Sequence, residues 1–294
     1  MDYRYEKINR GVIFFFPGKD EKDMEIFPHL VYDWAMVLKY AGLTDVGKVR
    51  ELNEDNFILK KISEHEFIFI VADGMGGHKA GEIASYKAVN SFTRLLIQEK
   101  QETNIIKLLK KIAYQVNKEI VLEGEQYPDK TGMGTTLSAL YIMRKSAFVV
   151  HVGDSRIYRN NSQGLKQITE DHSIVNKMLK NGEITEREVK RHPRRHEITQ
   201  SLGVFHELEI DTIGPIRLNE GEIFLLCTDG LTDILEDPLL KRELSKGSSP
   251  ERICRNLIEE AKEQGAPDNI TAIVVRIEDL NPSSDSSTYH YVMN

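Results

Sequence analysis

Hydrophobic and polar positions along the 294-residue chain change their spacing several times, and each change predicts a different element. Short apolar runs, which are typical of buried strands, lie at 37–44, 67–72, 135–142, 147–152, 224–227 and 270–275. Helical spacing of apolar residues predicts amphipathic helices over 81–96, 105–120 and about 250–264. Because strands are followed by a helix pair, more strands and a final helix, the pattern favours an α+β fold with two helix-covered sheets over a regular βαβ alternation.

Three segments depart from these periods. Residues 1–36 have no sustained period, so we interpret them as an N-terminal extension outside the core, either a dispensable segment upstream of a translation start at Met36 or an appended arm. Residues 163–200 are polar and basic and predict a flap of short surface helices, inserted in a domain over residues 37–280. Residues 281–294 begin with a Ser- and Asp-rich stretch and predict a disordered tail.

The composition narrows the classes of function. A hydrophobic content of 40% is sufficient for a sizeable core, and the net charge of −7 argues against nucleic acid as a partner. The two cysteines, Cys227 and Cys254, predict neither a disulfide framework nor a zinc cluster. Because no apolar run approaches the roughly 20 residues that cross a bilayer, we expect a cytoplasmic protein without membrane insertion.

Acidic residues stand at the ends of the predicted strands. Asp73, Asp154 and Asp229 follow apolar runs, and Asp268 precedes the last run. A single Asp-Gly pair is most often a turn, but here the arrangement recurs. If the strands share a sheet, the carboxylates converge at one edge, where mutual repulsion raises their pKa values unless a cation neutralises them. The recurrence therefore predicts a site for divalent ions, and oxygen ligands suit Mg²⁺ or Mn²⁺.

Two glycine-rich segments invite a comparison with nucleotide-binding loops. Residues 42–49 nearly match a P-loop, but Val49 stands where a Ser or Thr hydroxyl should reach Mg²⁺. The segment Gly74-Met-Gly-Gly lacks the third glycine of a dinucleotide fingerprint, because Lys79 occupies that place. We therefore expect neither kind of nucleotide site.

The motifs around the acids follow a distinctive order. They are Arg50-x-x-Asn53-Glu54-Asp55, Asp73-Gly74-Met-Gly-Gly-His78, Thr131-Gly-Met-Gly-Thr-Thr136, Gly153-Asp154-Ser-Arg156, Thr228-Asp229-Gly230 and Pro267-Asp268-Asn269. This set resembles the PP2C (PPM) family of metal-dependent protein serine/threonine phosphatases over about residues 38–278, and it is most similar to the bacterial branch. The resemblance implies a four-layer αββα sandwich, in which two antiparallel β-sheets are flanked by helices and carry a flap insertion.

The resemblance also implies a role for each matching residue. Asp73 would bridge two Mg²⁺ or Mn²⁺ ions, and Asp229 and Asp268 would complete the protein ligands of one of them. The other ion would take the backbone carbonyl of Gly74, with Glu54 near it, directly or through water. All-oxygen ligand sets of this kind are what Mg²⁺ and Mn²⁺ prefer.

Three further assignments follow from the same resemblance. Asp55 would support the metal ligands, and Asp154, paired with Asp229, would hold a third and weaker ion. Arg50 matches the arginine that binds the substrate phosphate, through charged bidentate contacts. Arg50, Asp73 and Asp229 are then the catalytic residues.

The implied activity is hydrolysis of phosphoserine and phosphothreonine in proteins by direct attack of a metal-bridging hydroxide. The expected partners are phosphorylated proteins and a bacterial serine/threonine kinase that the enzyme opposes, and we expect a monomer. The alternative is a non-catalytic regulator on the same fold that binds phosphoproteins or a kinase. A more remote alternative is a hydrolase of small phosphoesters.

Several residues near the motifs have open roles. Met75 stands where many eukaryotic members carry a histidine proposed as the general acid, and His78 lies three residues on, so the general acid stays unassigned. We interpret His151 as a core histidine or one that supports the ligands, and Arg156 as orienting neighbouring acids. The basic run 190–195 is either a solvated face of the flap or a border of the active site that attracts acidic or phosphorylated substrates.

Overall fold

The computed structural model describes residues 4–8, 11–15, 36–76, 80–99, 102–205 and 208–280. The chain divides into two units, residues 36–280 and residues 1–35 together with 281–294. In the latter unit, strands β1 (Arg4–Ile8) and β2 (Gly11–Phe15) form an antiparallel pair. The predicted tail and most of the predicted extension lie outside the described residues, so the assignments of both segments stay predictions.

The unit over residues 36–280 contains the strands and the long helices that the hydrophobic pattern predicts. Its elements are β3 (Val37–Asp45), β4 (Asp55–Ser63), β5 (Glu66–Met75), α1 (Ala80–Gln98), α2 (Ile105–Gln126), a 3₁₀ turn (Pro128–Lys130), β6 (Gly134–Thr135), β7 (Leu137–Met143), β8 (Ser146–Val152), β9 (Arg156–Asn161), β10 (Gly164–Gln167), α3 (Ile174–Lys180), α4 (Glu186–Val189), β11 (Asp211–Arg217), β12 (Ile223–Cys227), α5 (Asp229–Thr232), α6 (Asp237–Leu244), α7 (Pro250–Glu263) and β13 (Ile270–Asp279). The pattern missed α5 and α6, because helices this short hold too few apolar residues to establish a period.

The strands form two antiparallel sheets. The six-stranded sheet has the order β11-β8-β7-β5-β4, with β6 paired to the end of β5, and the five-stranded sheet has the order β10-β9-β12-β13-β3. Antiparallel pairing brings the start of one strand beside the end of its neighbour. The end of β5 therefore lies beside the start of β4, and the end of β12 lies beside the start of β13.

Three hydrophobic clusters define four layers. One lies between the six-stranded sheet and helices α1 and α2, a second between the two sheets, and a third between the five-stranded sheet and helices α5 to α7. Successive residues of a strand point to opposite faces, so Ile70 joins the first cluster while Phe69 joins the second. Strands buried on both faces explain the continuous apolar runs of the sequence. The predicted αββα sandwich is confirmed.

The flap begins later than the sequence predicts. Residues Gly164–Gln167 form β10, which pairs with β9 at the edge of the five-stranded sheet. Helices α3 and α4 follow; the Ser173 side chain caps α3 by accepting a hydrogen bond from the Asn176 backbone NH. An isolated bridge between Ser173 and Ile198 closes the base of the flap.

Candidate metal centre

The predicted acids meet at one end of the sandwich. Asp55, at the start of β4, lies directly across from Asp73, near the end of β5. In the other sheet, the pairing of β12 with β13 brings Asp229 and Asp268 to the same end. A cavity of about 650 Å³ lies there. Its lining includes every predicted site residue except the buried Asp55, namely Arg50, Glu54, Asp73, Gly74, Asp154, Asp229 and Asp268.

Asp55 lies beneath the cavity and links the two sheets. It is only 5% exposed, and its Oδ2 accepts hydrogen bonds from the hydroxyls of Thr228 (2.8 Å) and Thr271 (2.6 Å). The Thr271 hydroxyl gives its proton to Asp55, so Thr44, whose hydroxyl lies 2.8 Å from it, donates to Thr271. Asn53 in turn donates to Thr44 (2.8 Å). This chain of donors fixes the orientation of the Asp55 carboxylate.

The backbone around Asp73 and Gly74 is held equally firmly. The Asp73 amide donates to Thr136 Oγ1 (2.9 Å), and the Asp73 carbonyl accepts from the backbone NH of Thr136 (2.9 Å). The Gly74 amide donates to the Glu54 carbonyl (3.1 Å). A Cβ on Gly74 would lie 2.2 Å from the Gly81 carbonyl oxygen and 2.5 Å from that of Glu54. Only glycine allows this close approach of three backbone segments beside the acids.

Arg50 reaches the site through Asp268. Its Nη2 donates to Asp268 Oδ2 at 2.8 Å, and the Asp268 Oδ1 accepts from the Asn269 backbone NH at the same distance. The Asn269 side chain then holds the loop that carries Arg50, because its Nδ2 donates to the carbonyls of Val46 (3.0 Å) and Leu52 (2.9 Å). The Asn269 Oδ1 also accepts from the Glu54 amide (2.9 Å). One asparagine therefore positions Arg50 and Glu54 relative to the start of β13.

Burial, followed by repulsion between neighbouring carboxylates, raises the pKa values of the clustered acids. The pKa of Asp55 rises to about 7 and that of Asp229 to about 6. The pKa values of Asp73 and Asp154 lie well above their ordinary range, for the same two reasons. Burial also raises the pKa of Glu54. Ionising all these groups together at neutral pH is unfavourable, so the cluster favours a bound cation.

The residues present fit divalent hard ions. Glu54 Oε1 and Asp55 Oδ1 are buried and have no hydrogen-bond partner among the described residues. An unpaired buried carboxylate oxygen is costly, and cation binding at the site would offset that cost. The available ligands are carboxylates and the Gly74 carbonyl, which are the oxygen donors that Mg²⁺ and Mn²⁺ prefer.

Two residues of this site escaped the sequence analysis. Asp233 and His196 form an ion pair, with His196 Nδ1 3.0 Å from Asp233 Oδ2. Ligand atoms of His196, Asp229 and Asp233 all lie within 4.8 Å of one another. Asp233 follows Asp229 by four residues, and residues four apart lie on the same face of a helix. This spacing was the signal for Asp233 in the sequence. His196 comes from the flap, and no spacing in the sequence indicates its approach.

The basic run 190–195 contains residues of both kinds that the sequence allowed, some on a solvated face of the flap and one at the border of the site. Lys190 pairs with Glu236 (2.7 Å) and Arg194 pairs with Glu197 (2.7 Å), as on a solvated face. Arg195 instead lines the metal-site cavity and also a neighbouring cavity of about 480 Å³ beneath the flap. The flap therefore adds one arginine to the border of the site.

Other residues singled out from the sequence lie as follows. Met75 lines the cavity, while His78 lies outside the described residues. Arg156 does orient a neighbouring acid, because its Nε and Nη2 bond the carboxylate of Asp171 (2.6–3.0 Å). Cys227 is fully buried, and burial raises the pKa of its thiol to about 12, which suits a core residue and not a nucleophile.

Comparisons with known proteins agree with this geometry. The family model described as protein phosphatase 2C matches residues 48–272. The chain is 37% identical over 251 residues to the serine/threonine phosphatase stp of Listeria monocytogenes, covering 83% of this chain and 98% of that protein. The crystal structure of the Mycobacterium tuberculosis serine/threonine phosphatase PstP/Ppp matches with a TM-score of 0.75 and 33% identity, over 83% of this chain and 100% of that one. The PstP catalytic domain in complex with two manganese ions matches with a TM-score of 0.72 and 32% identity, over 83% and 100% of the chains.

Proposed function

The chain belongs to the protein phosphatase 2C family, and we propose that it is a metal-dependent protein serine/threonine phosphatase. The observation that supports this most directly is the convergence of the motif acids and Arg50 on one cavity. Of its relatives, the Listeria protein is named a serine/threonine phosphatase, and PstP has been crystallised with two manganese ions. The assignment of each residue in this chain is part of the proposal.

Asp73, which lines the cavity, is the residue that we assign to bridging two Mg²⁺ or Mn²⁺ ions. Asp229 and Asp268 would complete the protein ligands of one ion, and the Gly74 carbonyl with Glu54 would serve the other. Bound ions of this kind supply water activation and neutralise phosphate charge. The role of the protein is to hold these oxygens at fixed positions. The backbone hydrogen bonds of Asp73 and Gly74 serve this role.

A third and weaker ion would lie between Asp154 and Asp229. Asp233 and His196 border this position, and their ion pair brings the flap to it. Asp55 takes no part as a direct ligand; it supports the others from below through Thr228 and Thr271. The supporting role of Asp55 is proposed because this residue lies outside the cavity lining that the other acids form.

Arg50 is the residue that would bind the substrate phosphate. Its side chain is 51% exposed, and one guanidinium nitrogen, Nη2, is bonded to Asp268. A guanidinium carries five N–H donors in a rigid fork, so further donors can face phosphate oxygens. The general acid for the leaving alcohol remains unassigned, because Met75 has no proton to give and His78 lies outside the described residues.

We assign phosphoproteins as substrates and a serine/threonine kinase as the activity that this enzyme opposes, acting as a monomer in the cytoplasm. No helix in the described part of the chain has the length and apolar character needed to cross a bilayer. The regulator that binds phosphoproteins without turnover is the alternative. Both alternatives use the same cavity, so turnover is what distinguishes them.

The test is phosphate release from a phosphothreonine peptide with Mn²⁺, with Mg²⁺ and with EDTA. The native protein should release phosphate only with metal, and Asp229→Asn should not release it. Asp129→Asn, which changes an exposed acid on the 3₁₀ turn, is the matched control and should behave as the native protein does. Metal-dependent binding of the peptide without release would favour the regulator. Faster release from a small phosphoester than from the peptide would favour a metabolite hydrolase.

A further inference from the structure

Two histidines outside the ligand set lie near the turn that carries Asp154. His151, on β8, is fully buried, and His172, at the base of the flap, has a side chain only 12% exposed. Their ring centroids are 4.9 Å apart. Between them and the metal cavity lies the turn Gly153-Asp154-Ser155, which follows β8.

His172 holds the turn at Gly153 by two hydrogen bonds. The His172 amide donates to the Gly153 carbonyl (2.7 Å), and the Gly153 amide donates to His172 Nδ1 (3.2 Å). Since a backbone amide can only donate, His172 Nδ1 carries no proton. The proton is on Nε2, which faces Asp211 Oδ2 at 3.2 Å. The ring is therefore held in one tautomer between Asp211 and the turn.

His151 and the carbonyl of Ser155, at the other end of the turn, compete for the proton of the Ser138 hydroxyl. The His151 Nε2 lies 3.0 Å from the Glu170 carbonyl, an acceptor, so Nε2 carries a proton. Burial lowers the pKa of His151 to about 4, so the ring is neutral and its Nδ1 accepts the hydroxyl proton of Ser138 at 2.8 Å. That hydroxyl also lies 2.8 Å from the Ser155 carbonyl and can bond only one of the two at a time.

The turn is also joined to the residue proposed to bridge the metal ions. Ser155 Oγ lies 2.7 Å from Thr136 Oγ1, and Thr136 Oγ1 accepts from the Asp73 amide at 2.9 Å. The Gly153 backbone has a φ of +106°, and a Cβ there would lie 2.6 Å from Thr136 Cγ2. The turn is therefore fixed at Gly153 and at Ser155, and Asp154 lies between these two points.

We propose that His172 is a positioning residue that holds Asp154 in place for the weakly bound ion and ties the base of the flap to the metal centre. The flap side of the tie is direct, because the His172 carbonyl accepts from the Thr199 amide (2.7 Å) on the returning segment of the flap. The inference rests on the proposed function only in assuming that Asp154 holds a divalent ion. It does not require that the protein turn over any substrate.

Two substitutions that introduce amide side chains of different length separate the roles of the ring nitrogens. In His172→Asn the side-chain oxygen can occupy the place of Nδ1 and accept from Gly153. In His172→Gln the amide extends to the place of Nε2, so it can reach Asp211 but leaves the Gly153 amide without its acceptor. The two variants introduce the same functional group, yet only His172→Asn keeps the bond to the turn.

The readout is Mn²⁺ binding, measured by isothermal titration calorimetry and by electron paramagnetic resonance of free Mn²⁺. Loss of a residue that orients a metal ligand typically costs about 10–100-fold in affinity. His172→Gln should therefore lower the affinity for the most weakly bound Mn²⁺ ion by about 10–100-fold. The two tight ions should bind as in the native protein, and His172→Asn should lie close to native. Asp154→Asn should remove the weakest ion and identifies it in the titration.

A core variant controls for loss of stability. Ile253→Ala truncates a fully buried residue of α7, on the far side of the five-stranded sheet. This variant should lower the melting temperature without changing the affinity for the most weakly bound Mn²⁺ ion. The proposal is overturned if His172→Gln and His172→Asn bind all ions alike, if both weaken all ions in proportion to their loss of stability, or if the native protein binds only two ions. Absence of phosphatase activity would contradict the proposed function, but the Mn²⁺ titration would still test the role of His172, because it measures binding and not turnover.

Discussion

Removing divalent metal should make the protein lose stability as the pH rises from 5 to 8, and Asp55 should contribute a part of this loss that can be measured separately. This carboxyl is 5% exposed, and burial raises its pKa from 3.8 to about 7. Between these two values the folded protein binds a proton that the unfolded chain does not. The stability contributed by this proton therefore falls with rising pH across that window, and the contribution is lost above it.

The magnitude follows from the pKa of Asp55. Each tenfold change in proton affinity is worth about 1.4 kcal/mol. About two pH units of the window lie above pH 5, so Asp55 alone should lower the unfolding free energy of the metal-free protein by about 3 kcal/mol between pH 5 and pH 8. For a domain of this size 1 kcal/mol corresponds to about 2–4 °C, which gives a fall in Tm of about 6–12 °C. Saturating Mn²⁺ should oppose the fall, because ions that bind only the folded state stabilise it.

The assay is differential scanning fluorimetry in EDTA at pH 5, 6, 7 and 8, with Asp55→Asn measured in parallel. The asparagine cannot ionise, so the difference between native and variant isolates Asp55 from other titrating groups. The variant should gain stability relative to the native protein as the pH rises. Equal slopes for the two proteins, or a native protein that gains stability in EDTA towards pH 8, would refute the reasoning.

Three other outcomes are expected. Arg50→Ala should lower kcat/KM for a phosphopeptide by on the order of 1.5–3 kcal/mol, the range for a hydrogen bond to a charged group; an unchanged value would remove Arg50 from the site. Asn269→Ala should weaken Mn²⁺ binding and phosphopeptide turnover together, because it frees the loop that carries Arg50 and Glu54, and calorimetry with kinetics would reveal either change alone. Deleting residues 1–35 should leave Tm and turnover nearly native, since all members of the three hydrophobic clusters among the described residues lie within 36–280; a large loss of either would show that the extension supports the domain.

The sequence predicted the layers because every face of the sandwich leaves a periodic trace. Strands buried on both sides give unbroken apolar runs, as in β5 and β12, and helices that cover a sheet repeat every three to four residues, as in α1, α2 and α7. Elements with little buried surface leave little trace. This is why α5 and α6 were missed, and why β10 was assigned to the flap: its four residues are half-buried or exposed.

The convergence of these acids on one cavity could be predicted because each adjoins a strand end, where pairing places it. Asp233 and His196 could not be placed, because one depends on the turn after α5 and the other on how the flap folds back. The same holds for His172, which is remote in sequence from Gly153 and contacts it only through the flap base. Contacts made by an inserted segment depend on tertiary packing, and local periodicity carries no record of them.

The division of the acids between the sheets explains why fold and site depend on each other. Asp55, Asp73 and Asp154 belong to the six-stranded sheet or its loops, and Asp229 and Asp268 to the ends of β12 and β13 in the other sheet. A cation shared among them would hold the two sheets together at this end. Without a cation, the hydroxyls of Thr228 and Thr271 still donate hydrogen bonds to Asp55 and join the buried carboxyl to the opposite sheet. The packing between the two sheets therefore sets the distances between the acids. Once a cation neutralises the acids, they in turn stabilise the packing of the two sheets.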